Sequence, residues 1–362
     1  MSNKSISILI PIWGFAKSGG IKVVSNLANR WTDMGIDVKV VCFYKSIEPY
    51  YPLKCEVEYV DYKGRPTERE NPSDNASTVQ YLVELYKTYR ALKRAIDRNA
   101  KQFTVSIANY DLTAYSVVRG NIVNKFYYIQ AYEAWHNNDR ITGRVRNWIS
   151  RRSYLLRLIR IVNADIYKNY KEIKSKYVVP PGIDLDVYHK KKKTWDKTRP
   201  FIVGCIGREQ AWKGSEDVAI AVEMLQNRGL DIDFQVAFHP VQHGKYRLVM
   251  PDGDQKLSEF YREIDVMIAP GTIQLGAIHY PVIEAMACNT PVITTGYYPA
   301  NDTNAYIVPV SNPKAIADTI ENMINNYDEA MDKADKAYAC VEDFSWDKVS
   351  KKMLDIIDSE MQ

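Results

Sequence analysis

The chain has 362 residues, more than one average domain and suited to two. Apolar residues make up 46% and charged residues 25%, as in ordinary globular proteins, which argues against broad disorder. A formal net charge of +4 is too small to argue for nucleic acid by itself, and no apolar stretch is long enough to span a bilayer. A soluble or peripherally membrane-attached protein is expected. The five cysteines (Cys42, Cys55, Cys205, Cys288, Cys340) are odd in number, scattered, and without a CxxC pair. That pattern argues against a disulfide framework or a structural zinc site and fits a reducing, cytoplasmic compartment. Tyrosines number 26, enough for sugar-facing aromatic surfaces or for core packing.

The run Ser5 to Pro11 reads as a first buried strand, not a signal peptide: it is short and leads into Gly14, Gly19 and Gly20. Helical spacing follows from Ile21 to Met34, with Gly35 as its cap, and Val38 to Tyr44 is the next buried strand. Strand, helix, strand in that order implies a parallel sheet. Residues 63–77 are polar and rich in Pro and Asn, as in a loop. Thr78 to Arg98 is helical in pattern, and Thr104 to Ala108 and Lys125 to Gln130 are further strands. Gly143 to Val162 carries six arginines and no acid, interleaved with Trp148, Tyr154 and leucines. A basic helix of this kind suits an anionic membrane surface, through the region Arg144 to Arg160, or a sheet-packed helix with its arginines in water. Val178 to Asp184 closes this half, and Lys190 to Lys193 reads as a solvated linker.

A second series begins at Phe201. Phe201 to Ile206 is a buried strand and Ser215 to Arg228 a helix. Asp233 to Phe238, Val266 to Ala269 and Pro291 to Thr295 are strands, with a helix over Pro281 to Cys288. The architecture is thus two similar doubly wound α/β halves, residues 1–179 with the final helix 347–362, and residues 180–346. His239 and His243 are four apart, but Pro240 lies between them and no Glu follows the first, which argues against a metal pair.

Gly207-Arg208-Glu209-Gln210-Ala211-Trp212-Lys213-Gly214 follows a buried strand and precedes a helix. Ligands of open parallel sheets bind at such strand ends, and Arg208 with Lys213 would neutralise a diphosphate. On these residues alone a surface basic pair fits equally well. Later comes Gly276-Ala277-Ile278-His279-Tyr280-Pro281-Val282-Ile283-Glu284-Ala285-Met286-Ala287. Pro281 suits a first helical turn, whose free N–H groups would hold phosphate. Glu284 is placed in that first turn, as a ribose ligand or as a complement to the helix dipole.

Together and in order, these stretches resemble the GT-B retaining glycosyltransferases called family 4. The resemblance rests on Arg208 and Lys213, on Pro281, Glu284, Ala285, Met286 and Ala287, on Thr290-Pro291-Val292-Ile293, on Pro181-Gly182-Ile183-Asp184, and on Phe344-Ser345-Trp346. It implies two facing Rossmann-like domains with an interdomain cleft, an N-terminal acceptor domain and a C-terminal donor domain. It implies that Gly207, Arg208 and Lys213 bind the donor diphosphate, that Glu284 binds its ribose, and that His279 and Tyr280 belong to the same site. The family's first Glu falls at Gly276, so the chain departs there, with Gln274 or His279 as substitutes.

In the first half, Gly19 and Gly20 lie in the loop where family members approach donor phosphate. Gln130-Ala131-Tyr132-Glu133 is similar to a variant in rhamnosyltransferase-like members, which makes Gln130, Tyr132 and Glu133 acceptor-side residues. Alternatively, Glu133 caps the helix that follows. The implied activity is retaining transfer of a hexose or deoxyhexose from a nucleotide sugar to a glycan or lipid-linked acceptor in cell-surface polysaccharide synthesis. Neither a metal nor a cofactor is implied, and no nucleic acid. The rival expectations are a non-catalytic homologue acting as a partner in a polysaccharide-assembly complex, and a GT-B epimerase or phosphorylase.

Overall fold

The computed structural model describes residues 5–72, 78–134, 141–195 and 197–361. It divides into two compact units, Met1–Pro181 with Trp346–Gln362, and Gly182–Ser345.

The first unit runs β1 (Ser7–Ile12), α1 (Gly19–Asp33), β2 (Asp37–Phe43), β3 (Glu56–Val60), α2 (Thr78–Asn99), β4 (Val105–Ala108), α3 (Asp111–Arg119), β5 (Asn124–Ile129), α4 (Ile141–Ser153), β6 (Ile159–Val162) and β7 (Tyr177–Val178). Its sheet has the order β3-β2-β1-β4-β5-β6-β7, with parallel pairing throughout. β1 is buried at every position because both faces of a parallel sheet are covered. α1 starts at Ser18, whose hydroxyl accepts from the Ile21 amide, and buries Val23, Val24, Leu27 and Trp31 on one face. It stops where Gly35 adopts φ +81°, while the Gly35 and Ile36 amides close back onto the carbonyls of Thr32 and Trp31.

Gly19 and Gly20 are therefore the first residues of α1, not loop residues, because the cap falls one position earlier than the glycines suggest. The arginine-rich stretch is likewise no single helix. α4 ends at Ser153, and Arg160 lies in β6, where its guanidinium holds the carbonyls of Lys174 and Leu156. Arg146 is buried at 3% exposure and pairs with the fully buried Asp111 at 3.0 Å. The exposed cations of the stretch are thus Arg144, Arg151, Arg152 and Arg157.

The second unit runs β8 (Phe201–Ile206), α5 (Ser215–Asn227), β9 (Ile232–Ala237), β10 (Arg247–Val249), α6 (Gly253–Glu263), β11 (Val266–Ala269), α7 (Tyr280–Ala287), β12 (Val292–Thr294), β13 (Tyr306–Ile307), α8 (Pro313–Asn325) and α9 (Tyr327–Val341). Its sheet order is β10-β9-β8-β11-β12-β13, again parallel. Phe201, Val203, Cys205, Phe234, Val236 and Ile268 pack under α5 and α8 in one apolar core. A second core forms on the other face around Tyr261, Met267, Ile283 and Met286.

Lys193 is not solvated as its neighbours are. It is buried, and its ammonium donates to the carbonyls of Tyr261 and Ile264 at the end of α6. The chain's last helix, α10 (Trp346–Glu360), belongs to the first unit. It buries Trp346, Val349, Met353 and Ile357, each worth roughly 1.5–3 kcal/mol. The Trp31 indole donates to the Ser350 carbonyl at 3.2 Å.

Candidate nucleotide-sugar site

The second sheet reverses its order between β8 and β11, and a narrow cavity opens beside the ends of those strands. It is lined by Arg208, Lys213, Ser215, Pro270, His279 and Pro281, among others. The loop after β8 is fixed by two glycines. A Cβ on Gly207 would lie 1.7 Å from the His239 carbonyl oxygen. Gly214 adopts φ +75°, and a Cβ there would lie 2.4 Å from the Pro270 carbonyl oxygen. Only glycine permits this approach of backbone to backbone. Between them a short 3-10 turn, Ala211–Lys213, swings Lys213 inward while Arg208 stays exposed.

Lys213 Nζ stands 3.4 Å from His279 Nε2. Among the described residues no carboxylate pairs with Lys213 or Arg208. Burial, then the neighbouring Arg208, lowers the pKa of Lys213. Burial, then Lys213 and Arg208, pushes the His279 imidazole well below its ordinary range, so the ring is neutral. With Nε2 accepting from the Lys213 ammonium, the ring proton is assigned to Nδ1. That nitrogen is shielded and has no partner among the described residues. Two cations and a neutral imidazole line this cavity, a setting that suits an anion.

α7 begins after His279 with Pro281 in its first turn. The Val282 and Ile283 amides both donate to the His279 carbonyl, at 2.9 and 3.3 Å, and proline has no N–H. The helix start therefore presents an anion with fewer free amides than the sequence suggests. Glu284 lies in the second turn of α7, not the first, and is buried. Tyr261, from α6, donates its hydroxyl to Glu284 Oε2 at 2.9 Å. The Tyr280 hydroxyl is directed to the Gly182 carbonyl at 3.3 Å, away from the cavity lining. Gly276 adopts φ +86° and its amide donates to Gly296, so the loop is built around a backbone conformation a glutamate adopts only with strain. Gln274, with φ +51°, is the other left-handed residue there.

The first unit treats its expected residues differently. Gln130 Nε2 donates to the Gly20 carbonyl at 3.3 Å, so those two do meet. Glu133 turns inward: its Oε2 accepts from the Asp111 amide at 2.9 Å and lies 3.3 Å from the Tyr127 hydroxyl. It caps α3, the helix before it, and burial followed by Asp111 raises its pKa well above the carboxylate range. Tyr132 is buried and stacked on Tyr170, with centroids 3.8 Å apart. Glu133 thus turns its carboxylate into the interior of the unit, and Tyr132 packs its ring among tyrosines. His239 and His243 face different glutamates, Glu209 and Glu223. Sequence reasoning missed Tyr261. Nothing marks it among 26 tyrosines, since only the packing of α6 on α7 brings it to Glu284.

Residues 200–326 match the family described as Glycosyl transferases group 1. A D-inositol 3-phosphate glycosyltransferase of Xylanimonas cellulosilytica is 24% identical over 231 residues, 55% of this chain. The chain spans only 53% of that relative's length. Among solved structures, sucrose-phosphate synthase from Thermosynechococcus elongatus aligns over 98% of both chains with a TM-score of 0.76 at 14% identity. Anabaena Alr3699/HepE, solved with UDP and glucose, aligns over 98% of this chain and all of its own, with a TM-score of 0.68 at 13% identity. WaaG, a glycosyltransferase involved in lipopolysaccharide biosynthesis, aligns over 97% of this chain and 99% of its own, with a TM-score of 0.68 at 13% identity. Residues 200–326 are thus similar to the Glycosyl transferases group 1 family, on a chain of the GT-B fold.

Proposed function

We propose that this protein is a retaining glycosyltransferase that moves a hexose or deoxyhexose from a nucleoside-diphosphate sugar to a glycan or lipid-linked acceptor. The observation that carries the reading is the convergence of Arg208, Lys213 and His279 on one cavity at the switch point of the second sheet. HepE, a similar fold, was solved with UDP and glucose, which supports a nucleotide sugar as donor. In this reading Arg208 and Lys213 bind the diphosphate and stabilise it as it leaves, the task a metal performs elsewhere. Glu284, oriented by Tyr261, accepts hydrogen bonds from the ribose. The acceptor attacks on the face the nucleotide leaves, and a departing phosphate oxygen takes its proton, so no protein nucleophile is needed. WaaG, named for its part in lipopolysaccharide biosynthesis, supports a role in cell-surface polysaccharide synthesis. No helix among the described residues is long and apolar enough to cross a membrane, so membrane contact in this reading is peripheral, through Arg144, Arg151, Arg152 and Arg157.

The test is a panel of nucleotide sugars offered to the purified protein, with binding and slow hydrolysis as readouts and Lys213→Ala as control. One donor bound and consumed, with loss in the variant, is expected. Failure to bind any donor would sink this reading. It would favour the second one, a non-catalytic partner in polysaccharide assembly, which rests on Gly276 standing where the related enzymes carry their first glutamate.

A further inference from the structure

The first unit holds a second cavity, of about 540 Å³, within the roughly 300–1,000 Å³ common for small-ligand sites. Its walls come from α2, α3, α4 and the turn after β1. Two lining residues mark its place in the topology. Trp13 follows β1 and Leu112 opens α3 after β4, and those are the strands at which this sheet's order reverses. A switch point is where an open α/β sheet takes its ligand.

The lining is five aliphatic side chains, five aromatic ones and a single arginine, Arg152. Among the described residues that line it there is no carboxylate or carboxamide, the groups that most often pair with sugar hydroxyls. Two tyrosine hydroxyls are already engaged: Tyr115 donates to the Ile149 carbonyl at 2.7 Å, and the Tyr86 hydroxyl accepts from Arg90 at 3.3 Å. A glycan bound here would find few protein partners for its many hydroxyls. A hydrocarbon chain needs none. The apolar wall nevertheless faces water, since Trp148 is 60%, Tyr86 58% and Leu155 53% exposed. The charge at its edge is mainly positive, with Glu172 standing 3.9 Å from Arg151. Arg152 lies over the Trp148 ring at 5.5 Å, Arg151 is its neighbour, and α4 contains no acidic residue.

We propose that this cavity binds the lipid chain of an anionic, lipid-linked acceptor, an isoprenoid or acyl chain joined to a phosphate that Arg152 receives. This deepens the transferase reading and rests on it for the word acceptor. The cavity's occupancy is testable without it.

The probe is farnesyl phosphate below its micellar concentration, read by tryptophan fluorescence or calorimetry, with farnesol, inorganic phosphate and a free oligosaccharide as controls. Saturable one-site binding of farnesyl phosphate is expected, with weaker binding of farnesol and none of phosphate or oligosaccharide. Trp148→Ala and Leu155→Glu alter exposed positions, and each should weaken farnesyl phosphate about tenfold or more. Arg152→Gln should weaken farnesyl phosphate by roughly tenfold and leave farnesol unchanged. Tyr86→Ala is the second wall variant should either of the first two melt early. No saturable binding, binding indifferent to all three wall variants, preference for the oligosaccharide, or adsorption only to phosphatidylglycerol vesicles would each overturn the proposal. UDP binding is followed in the same samples. Lys213→Ala should lose UDP and keep farnesyl phosphate. A protein that binds farnesyl phosphate as expected but no nucleotide sugar loses the transferase reading and keeps this one.

Discussion

In both units the strand order reverses beside the first strand, between β1 and β4 in one and between β8 and β11 in the other. What the chain places there is opposite in character. Beyond β8 stand Arg208 and Lys213, with a neutral His279 against the lysine. Beyond β1 and β4 stand Trp13 and Leu112, in a cavity that meets one cation, Arg152, at its edge. The same topology thus specifies where a small molecule can settle, and a few side chains decide which kind.

The comparison breaks most severely if the apolar side is not held rigid. Arg146 and Asp111, both buried, tie α4 to the start of α3, and Ser150 donates to the same carboxylate. Asp111→Ala strands a buried guanidinium and should cost about 3–5 kcal/mol in urea unfolding. A loss under 1 kcal/mol would mean the pair is dispensable. On the basic side, Lys213→Ala should cut turnover by a factor on the order of 10²–10³ and leave the melting temperature unchanged, because it removes one stabilising cation from an unpaired set. Full activity in that variant would remove the phosphate assignment.

A subtler contrast lies in pH. Burial lowers the pKa of Lys193 to about 7, against 10.5 for an exposed lysine. Across that interval the unfolded chain binds a proton that the folded chain does not. Stability should therefore be lowest below about pH 7 and rise toward pH 10, by at most about 1.4 kcal/mol per pH unit from this group. Lys193→Met should flatten the rise in a series of urea melts, and an unchanged slope would refute the assignment. The smallest effect tests the departure at Gly276. Gly276→Glu should cost roughly 1–2 kcal/mol for its left-handed backbone and bring no gain in turnover. A gain would mean that the site lacks only that carboxylate.

Much of this was legible in the residues. β8 and β11 are uninterrupted apolar runs, and their bounds follow from the sequence alone. β3 was hidden because its glutamates, Glu56 and Glu58, serve the edge of the sheet, where they pair with Lys39. β6 was absorbed into an apparent basic helix, since nothing local shows that Arg160 will spend its donors on carbonyls. α3 carries buried Asp111, Thr113 and Ser116, which obscure its apolar face. Arg208, Lys213 and His279, singled out by pattern, lie together in the structure. The inward turn of Glu133 was not legible, because it depends on where α3 starts. The apolar cavity was beyond reach for the same reason, as four separate segments build it.

The helix α10 has a consequence for how the protein is made. Trp31 waits for a carbonyl at Ser350, and Arg30 for a carboxylate at Asp347, 3.3 Å away. On the ribosome both partners emerge only after every residue of Gly182–Ser345. The unit begun first is therefore completed only after the second has been made. During elongation, at roughly 5–20 residues per second, the α1 surface around Trp31 stays uncovered for the whole synthesis of the other unit. A nascent chain stalled before Trp346 would carry a completed second unit beside an unfinished first, the reverse of the usual order, and a holding chaperone would find its target at α1.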